Sequence, residues 1–364
     1  MSDDIFRQGG PHQIRKTGLH EHTLSISIPT DRDGRVAREC PDATCCPGEF
    51  KVTPGTGITE EQEVVYCPYC RGEHEPSDYT TRAQIQYIED IAMSEAHEGI
   101  HKMIGKSLGL DSRGRRNFGD GGSFDISMEM KPSRKPHVRK PYSESLRRDL
   151  ICPNCSLDHS VYGLATWCSD CGVDIFTTHV LGEIQVVRAI LSDVPRREEN
   201  LGARVATSDM ENVLEDLVSI FEASLKYEVR RYAQDQQEAQ EETERRFKKI
   251  GSKLQSVRLA QEILPKHCGI GFEHFATDKL EALDMLFQKR HPITHNLGVI
   301  DRKYLDRIKG YEKEGKEIRV SLVELHEASQ VVFDLLESYH LQLHPGAHKA
   351  RQRDEGTDQK DIEE

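Results

Sequence analysis

The sequence predicts a multidomain α+β chain: two small β ribbons closed by cysteine knuckles, followed by an all-α helical bundle. Most of the ten cysteines fall within residues 40–70 and 152–171, the first cluster with one Cys-x-x-Cys pair and the second with two. Beyond the second cluster turn signals thin out, and apolar stripes spaced i, i+3, i+4, i+7 take over. The composition, 36% hydrophobic and 30% charged, calls for several compact cores with solvated helix faces rather than one large core.

In chain order, residues 1–35 form an N-terminal segment in which Leu24, Ile26 and Ile28 alternate like a strand ahead of Pro29. His20-Glu21-His22 within it lacks further spaced ligands and reads as surface. Residues 36–76 form the first ribbon, running from Cys40-Pro-Asp-Ala-Thr-Cys45-Cys46 through strand-like Phe50-Lys51-Val52 to Val64-Val65-Tyr66 and Cys67-Pro-Tyr-Cys70. Either Cys45 or Cys46 completes a set of four thiolates with Cys40, Cys67 and Cys70. Reading Cys46-Pro-Gly as the turn leaving the knuckle favours Cys45. Residues 80–109 form a helix opened by a Thr81/Gln84 capping box, with apolar Ile85, Ile88, Ala92 and Ile104. Residues 110–149 combine a strand at Phe124, Ile126 and Met128 with a basic linker punctuated by Pro132, Pro136 and Pro141.

Residues 150–176 form the second ribbon, in which Cys152-Pro-Asn-Cys155 is answered by Cys168-Ser-Asp-Cys171 and Gly172 permits a left-handed turn after the knuckle. Residues 177–346 make the bundle, of four or more helices. A Ser208/Glu211 capping box precedes the stripe Met210, Val213, Leu214, Leu217, Phe221 and Leu225. Residues 234–249 read as a solvated helical extension, 278–290 as a helix, and 321–343 as a last helix opened by a Ser321/Glu324 box. Residues 347–364 carry no apolar pattern and read as a disordered tail.

Zinc prefers four tetrahedral thiolates in structural sites, so the two cysteine sets predict two structural Zn2+ sites, with redox use of the knuckles as the rival reading. A zinc closed by four protein ligands leaves no open position, which excludes both from catalysis. No stretch approaches the roughly 18 apolar residues that a membrane span needs, and the N-terminus lacks a secretory pattern, so the expected location is cytoplasmic. The net charge of -13 argues against a nonspecific nucleic-acid coat. Locally, though, Lys131, Arg134, Lys135, Arg139 and Lys140 form a basic run, which is either a nucleic-acid contact or a solvated linker kept extended by its prolines.

The segment Gln288-Lys-Arg290-His291-Pro292-Ile-Thr-His295-Asn296-Leu-Gly298-Val-Ile-Asp301 gathers Arg, two His, Asn and Asp around an expected helix break at Pro292. An arginine fork binds phosphate and stabilises a pentacoordinate phosphoryl transition state, while a histidine near neutral pKa moves protons at oxygen. Arg with His and no carboxylate cluster points to phosphodiester cleavage with no metal in catalysis.

This pattern resembles the HEPN ribonucleases, whose motif is an Arg, a polar residue, three further residues and a His. Arg290, His291 and His295 fill it, and Asn296, Gly298, Asp301 and Tyr304 look like its context, over about residues 178–345. The resemblance implies a helical domain that forms a homodimer, with two motifs facing one cleft and RNA cut through its 2′-hydroxyl. His295 would then serve as general base or acid, Arg290 would stabilise the phosphate, and His291 would orient or assist, with Asn296 and Asp301 in support. It also implies a place in bacterial defence or toxin-like growth control, held in check by an inhibitor, a trigger or the ribbon half. The competing functions are a non-catalytic adaptor binding nucleic acid or protein, and a purely structural dimer scaffold.

Overall fold

A computed structural model of the chain describes residues 6, 12–18, 21–45, 47–111, 113–118, 126–131, 136–141, 148–308 and 313–347. Small antiparallel sheets occupy its N-terminal region, and the C-terminal region is mostly helical. Strands β1 (Arg15–Lys16) and β2 (His22–Thr23) pair with each other, so the ladder ends where the strand at Leu24, Ile26 and Ile28 was expected. Those three side chains are alternately half-buried, as in a strand, but their backbone joins no sheet.

The ribbons are not separate domains. Strands β3 (Val36–Glu39) and β4 (Glu49–Val52) from the first and β9 (Arg148–Ile151) and β10 (Asp158–Val161) from the second form one four-stranded sheet in the order β3-β4-β10-β9. The join is the register Val52 to His159, Lys51 to Ser160 and Phe50 to Val161. Phe50, Tyr79, Leu150, Leu157, Val161 and Ile175 pack into one core with cysteines of both clusters. Between the halves the chain forms β5 (Val65–Tyr66) with β6 (Glu73–His74), helix α1 (Arg82–Ser107), and β7 (Arg115–Phe118) with β8 (Ile126–Glu129). Thr81 and Gln84 make the expected capping box on α1.

His159 on β10 is fully buried, and neither of its ring nitrogens has a hydrogen-bond partner. Burial, reinforced by neighbouring His179, pulls its pKa down to about 4 from an ordinary 6.5. A histidine depressed in the folded state gives full stability above its unfolded pKa and loses it as pH falls. The ribbon unit should therefore weaken by about 3 kcal/mol between pH 6.5 and 4. Unfolding the His159→Leu protein by denaturant at both pH values checks this: the variant should lose about that much of the pH dependence, the remainder coming from protonation of the cysteine ligands.

Helices α2 (Phe176–Leu201) and α3 (Ala203–Asp235) pack against each other and against α8 (Leu322–Leu343). Phe176, Val180, Ile184, Val187 and Leu191 on α2 meet Leu214, Leu217, Phe221 and Leu225 on α3 and Val332, Leu335 and Leu336 on α8. Helix α3 starts at Ala203, before the expected Ser208/Glu211 box. Gly202, at φ 92°, turns the chain between α2 and α3, and Arg204 takes the Glu211 carboxylate at 3.1 Å, so Ser208 sits inside the helix. The segment expected as one solvated extension is interrupted before α4 (Gln240–Ile250), and α5 (Val257–Cys268) follows a 3-10 turn at Lys253–Gln255. Helix α6 (Thr277–Asn296), the short α7 (Arg302–Leu305) and α8 complete the domain. Ser321 and Glu324 cap α8 as expected. Among the described residues no helix is long and apolar enough to cross a membrane.

The ribbon unit is locked to the bundle by polar contacts. Arg231 of α3 donates to Asp174 at 2.5 Å, and the Trp167 ring lies against both Arg231 and Arg71.

Candidate active site and metal centres

Each cysteine cluster converges to a tetrathiolate. Sγ separations are 3.7 Å for Cys40–Cys70 and Cys45–Cys67, 3.7 Å for Cys152–Cys171 and 3.5 Å for Cys155–Cys168. A disulfide requires about 2.05 Å. A tetrahedron with metal–sulfur bonds of about 2.3 Å has edges of roughly 3.8 Å, which these distances match. Backbone amides of Tyr69, Gly72 and Asn154 point at the sulfurs from 3.4–3.5 Å. Hydrogen bonds from neighbouring cysteines hold the Cys70 and Cys171 thiols well below the usual range, while the same crowding pushes Cys67 and Cys168 up. Four thiols so packed cannot all ionise without a cation, and the sets are compatible with two structural zinc sites. Cys45 is the ligand-positioned residue of its pair; Cys46 lies outside the described residues. Gly172 takes φ 63° after its knuckle, where a Cβ would strike the Tyr66 ring at 2.8 Å, and Arg71 takes φ 60° after the other.

Helix α6 carries the arginine–histidine motif. Leu280, Leu283, Leu286 and Phe287 bury one face of it, with Phe287 edge-on to Phe221 at 5.4 Å. Contrary to the sequence expectation, the helix runs through Pro292 to Asn296. It stops where Leu297 turns left-handed at φ 49° and Gly298 N–H donates to the Pro292 carbonyl at 2.9 Å. Proline costs one hydrogen bond to the preceding turn, and the packed apolar face of α6 outweighs that loss.

Arg290 and His291 line a cleft of ≈ 380 Å³ with Lys253, Gln255, Arg258 and Arg307, and among the described residues no carboxylate lines it. Arg290 donates to the Gln255 side-chain Oε1 at 2.8 Å and stands 3.5 Å from Glu215 of α3. Burial, then the cations Lys303 and Arg307, lower the His291 pKa, so its imidazole is neutral near pH 7. His295 is exposed one turn further on, its ring 5.0 Å from that of His291. Five helical positions place Arg290 and His295 roughly 140° apart around the axis, so within one chain they do not share a face.

The two supporting residues make local backbone contacts. Asn296 donates to the Val299 carbonyl at 2.7 Å, and Asp301 caps α7 by accepting from Tyr304 N–H at 2.8 Å. Tyr304 packs with Ile300 and Ile318, holding the segment that brings Lys303 and Arg307 near His291. Of the basic run, Lys131, Arg139 and Lys140 are exposed, and Arg139 is held to Asp90 of α1 at 3.8 Å; Arg134 and Lys135 lie outside the described residues. Sequence reasoning missed Lys253, Gln255, Arg258 and Arg307, which come from elements far from the motif and carry no local signature. Comparison of the chain with family models, curated proteins and solved structures finds no match.

Proposed function

We propose that the chain is a metal-independent RNA endonuclease of the HEPN kind, cutting by ribose 2′-hydroxyl attack to leave a 2′,3′-cyclic phosphate and a 5′-hydroxyl. The observation that carries this reading is the cleft in which Arg290, Lys253, Arg258 and Arg307 surround a neutral imidazole, with no carboxylate among its described lining residues and Glu215 standing behind Arg290. Such a lining attracts a phosphodiester, supplies a fork for the charge that develops on phosphorus-bound oxygen, and offers a base for the hydroxyl proton.

His291 sits in the cleft and moves or orients the 2′-hydroxyl proton. His295, on the exposed face, serves a cleft completed by a second copy and protonates the leaving 5′-oxygen. The tetrathiolates hold two structural zinc ions, and the exposed Lys131, Arg139 and Lys140 extend the grip on RNA from the ribbon unit. A cytoplasmic enzyme of this kind fits bacterial defence or growth control and needs an inhibitor or trigger.

A non-catalytic adaptor is the second reading, favoured by the engagement of Arg290 with Gln255 and Glu215. Incubating the protein with a mixed tRNA and mRNA pool in EDTA separates the two. Cleavage with cyclic-phosphate ends, absent from the Arg290→Ala/His295→Ala double variant, is the expected result. RNA bound but uncut by the unmodified protein would establish the adaptor instead.

A further inference from the structure

Where the ribbon unit meets the bundle, α3 and α8 enclose ionisable side chains that the cleft does not use. The side chains of Glu228 on α3 and His340 on α8 are 0% exposed, and that of His344, one turn on, is 10% exposed. The Glu228 carboxylate turns one oxygen to each imidazole: Oε1 lies 2.7 Å from His340 Nδ1, and Oε2 lies 3.0 Å from His344 Nε2. The donor atoms of all three residues lie within 4.8 Å of one another. His340 and His344 are spaced i, i+4, which puts both on one helix face.

A second carboxylate stands behind each ring. Asp174 Oδ1 is 3.3 Å from His340 Nε2, and Asp235 Oδ2 is 3.9 Å from His344 Nδ1. A metal-ligating histidine is commonly supported by a carboxylate at its far nitrogen; Asp174 and Asp235 stand at those positions, the first close to His340 Nε2 without an aligned hydrogen bond and the second beyond hydrogen-bond reach. Arg231 balances one of the two buried carboxylates, Glu228 and Asp174, while Asp235 at the mouth is 56% exposed and screened by solvent. One buried negative charge remains, in a seam that Phe176 closes by stacking on His340 at 4.3 Å, and a cation held by the three donors neutralises it.

We propose that Glu228, His340 and His344 form a third metal site, binding one divalent cation of the zinc class through two imidazole nitrogens and a carboxylate. Nitrogen with oxygen donors and no sulfur suits Zn2+ over Ca2+ or Mg2+. The ion would pin α3 to α8 directly behind Asp174, the residue that joins the second cysteine cluster to Arg231.

Metal counting tests this on the full chain, loaded with Zn2+ and dialysed. The His344→Ala protein, altered at the seam's mouth, should retain one ion per chain fewer than the unmodified protein at equal helical content by circular dichroism. Glu228→Gln should show the same deficit. A thiol-seeking mercurial should strip the tetrathiolates and leave one ion on the unmodified chain and none on His344→Ala. Equal counts in the unmodified and His344→Ala proteins, or complete emptying of the unmodified chain by the mercurial, would overturn the site. The second of these outcomes is read on the unmodified chain alone and so does not depend on how any variant folds.

Discussion

Replacing Cys67 by serine is expected to release both tetrathiolate ions and unfold both ribbons, although the substituted residue belongs to one cluster alone. Structural zinc contributes about 10–16 kcal/mol in small domains of this type. The core around the sulfurs has few large apolar residues, and Phe50 and Val161 pack in it across the β4–β10 join. Losing one ion removes support from β4, and with it the ladder that carries β10 and the second cluster. Metal analysis of the Cys67→Ser protein should therefore find neither ribbon ion, while far-UV circular dichroism keeps the bundle's helical signal. Loss of one ion with the other retained would mean that the two ribbons stand independently.

The second large effect concerns the cleft. Arg290→Ala should lower RNA cleavage about 10²–10³-fold, the range found when one donor to a developing oxyanion is removed. Arg290→Lys should recover little of it, because a lysine point charge does not reproduce a planar fork on two phosphate oxygens. His291→Ala should cost about 10²–10⁴-fold. On the proposed endonuclease reading its lowered pKa also fixes the shape of the pH profile: the acidic limb of the unmodified protein should fall below pH 6.5, since the imidazole stays unprotonated and able to accept a proton further into acid. Initial rates from pH 5 to 8 check this, and an acidic limb above pH 6.5 would remove His291 from the base role.

Much of this architecture is legible in local spacing. The cysteine sets announce tetrathiolates because a knuckle is built from adjacent residues, and the Thr81/Gln84 and Ser321/Glu324 boxes mark helix starts through contacts three residues long. What was not legible depends on distant contacts. The pairing of Lys51 with Ser160 merges two apparent ribbons, and no local pattern encodes it. The run of α6 through Pro292 is decided by packing against Phe221 rather than by backbone propensity. The Ser208/Glu211 pattern fails because Gly202 had already turned the chain and Arg204 held the glutamate. In the cleft, α6 supplies the motif, but Lys253, Arg258 and Arg307 arrive from elsewhere and set its charge.

The shared sheet also sets an order of assembly. Each tetrathiolate closes a short loop, from Cys40 to Cys70 or from Cys152 to Cys171, whereas the β4–β10 ladder must bridge the whole excursion through α1 and the β7–β8 hairpin. Entropy favours the short closures first, but each loop alone holds its ion and strand only transiently until the ladder joins the two. Metal supply during synthesis would then govern how fast the chain becomes native, because a chain emerging into zinc-poor surroundings leaves β4 exposed and unpaired until β10 follows.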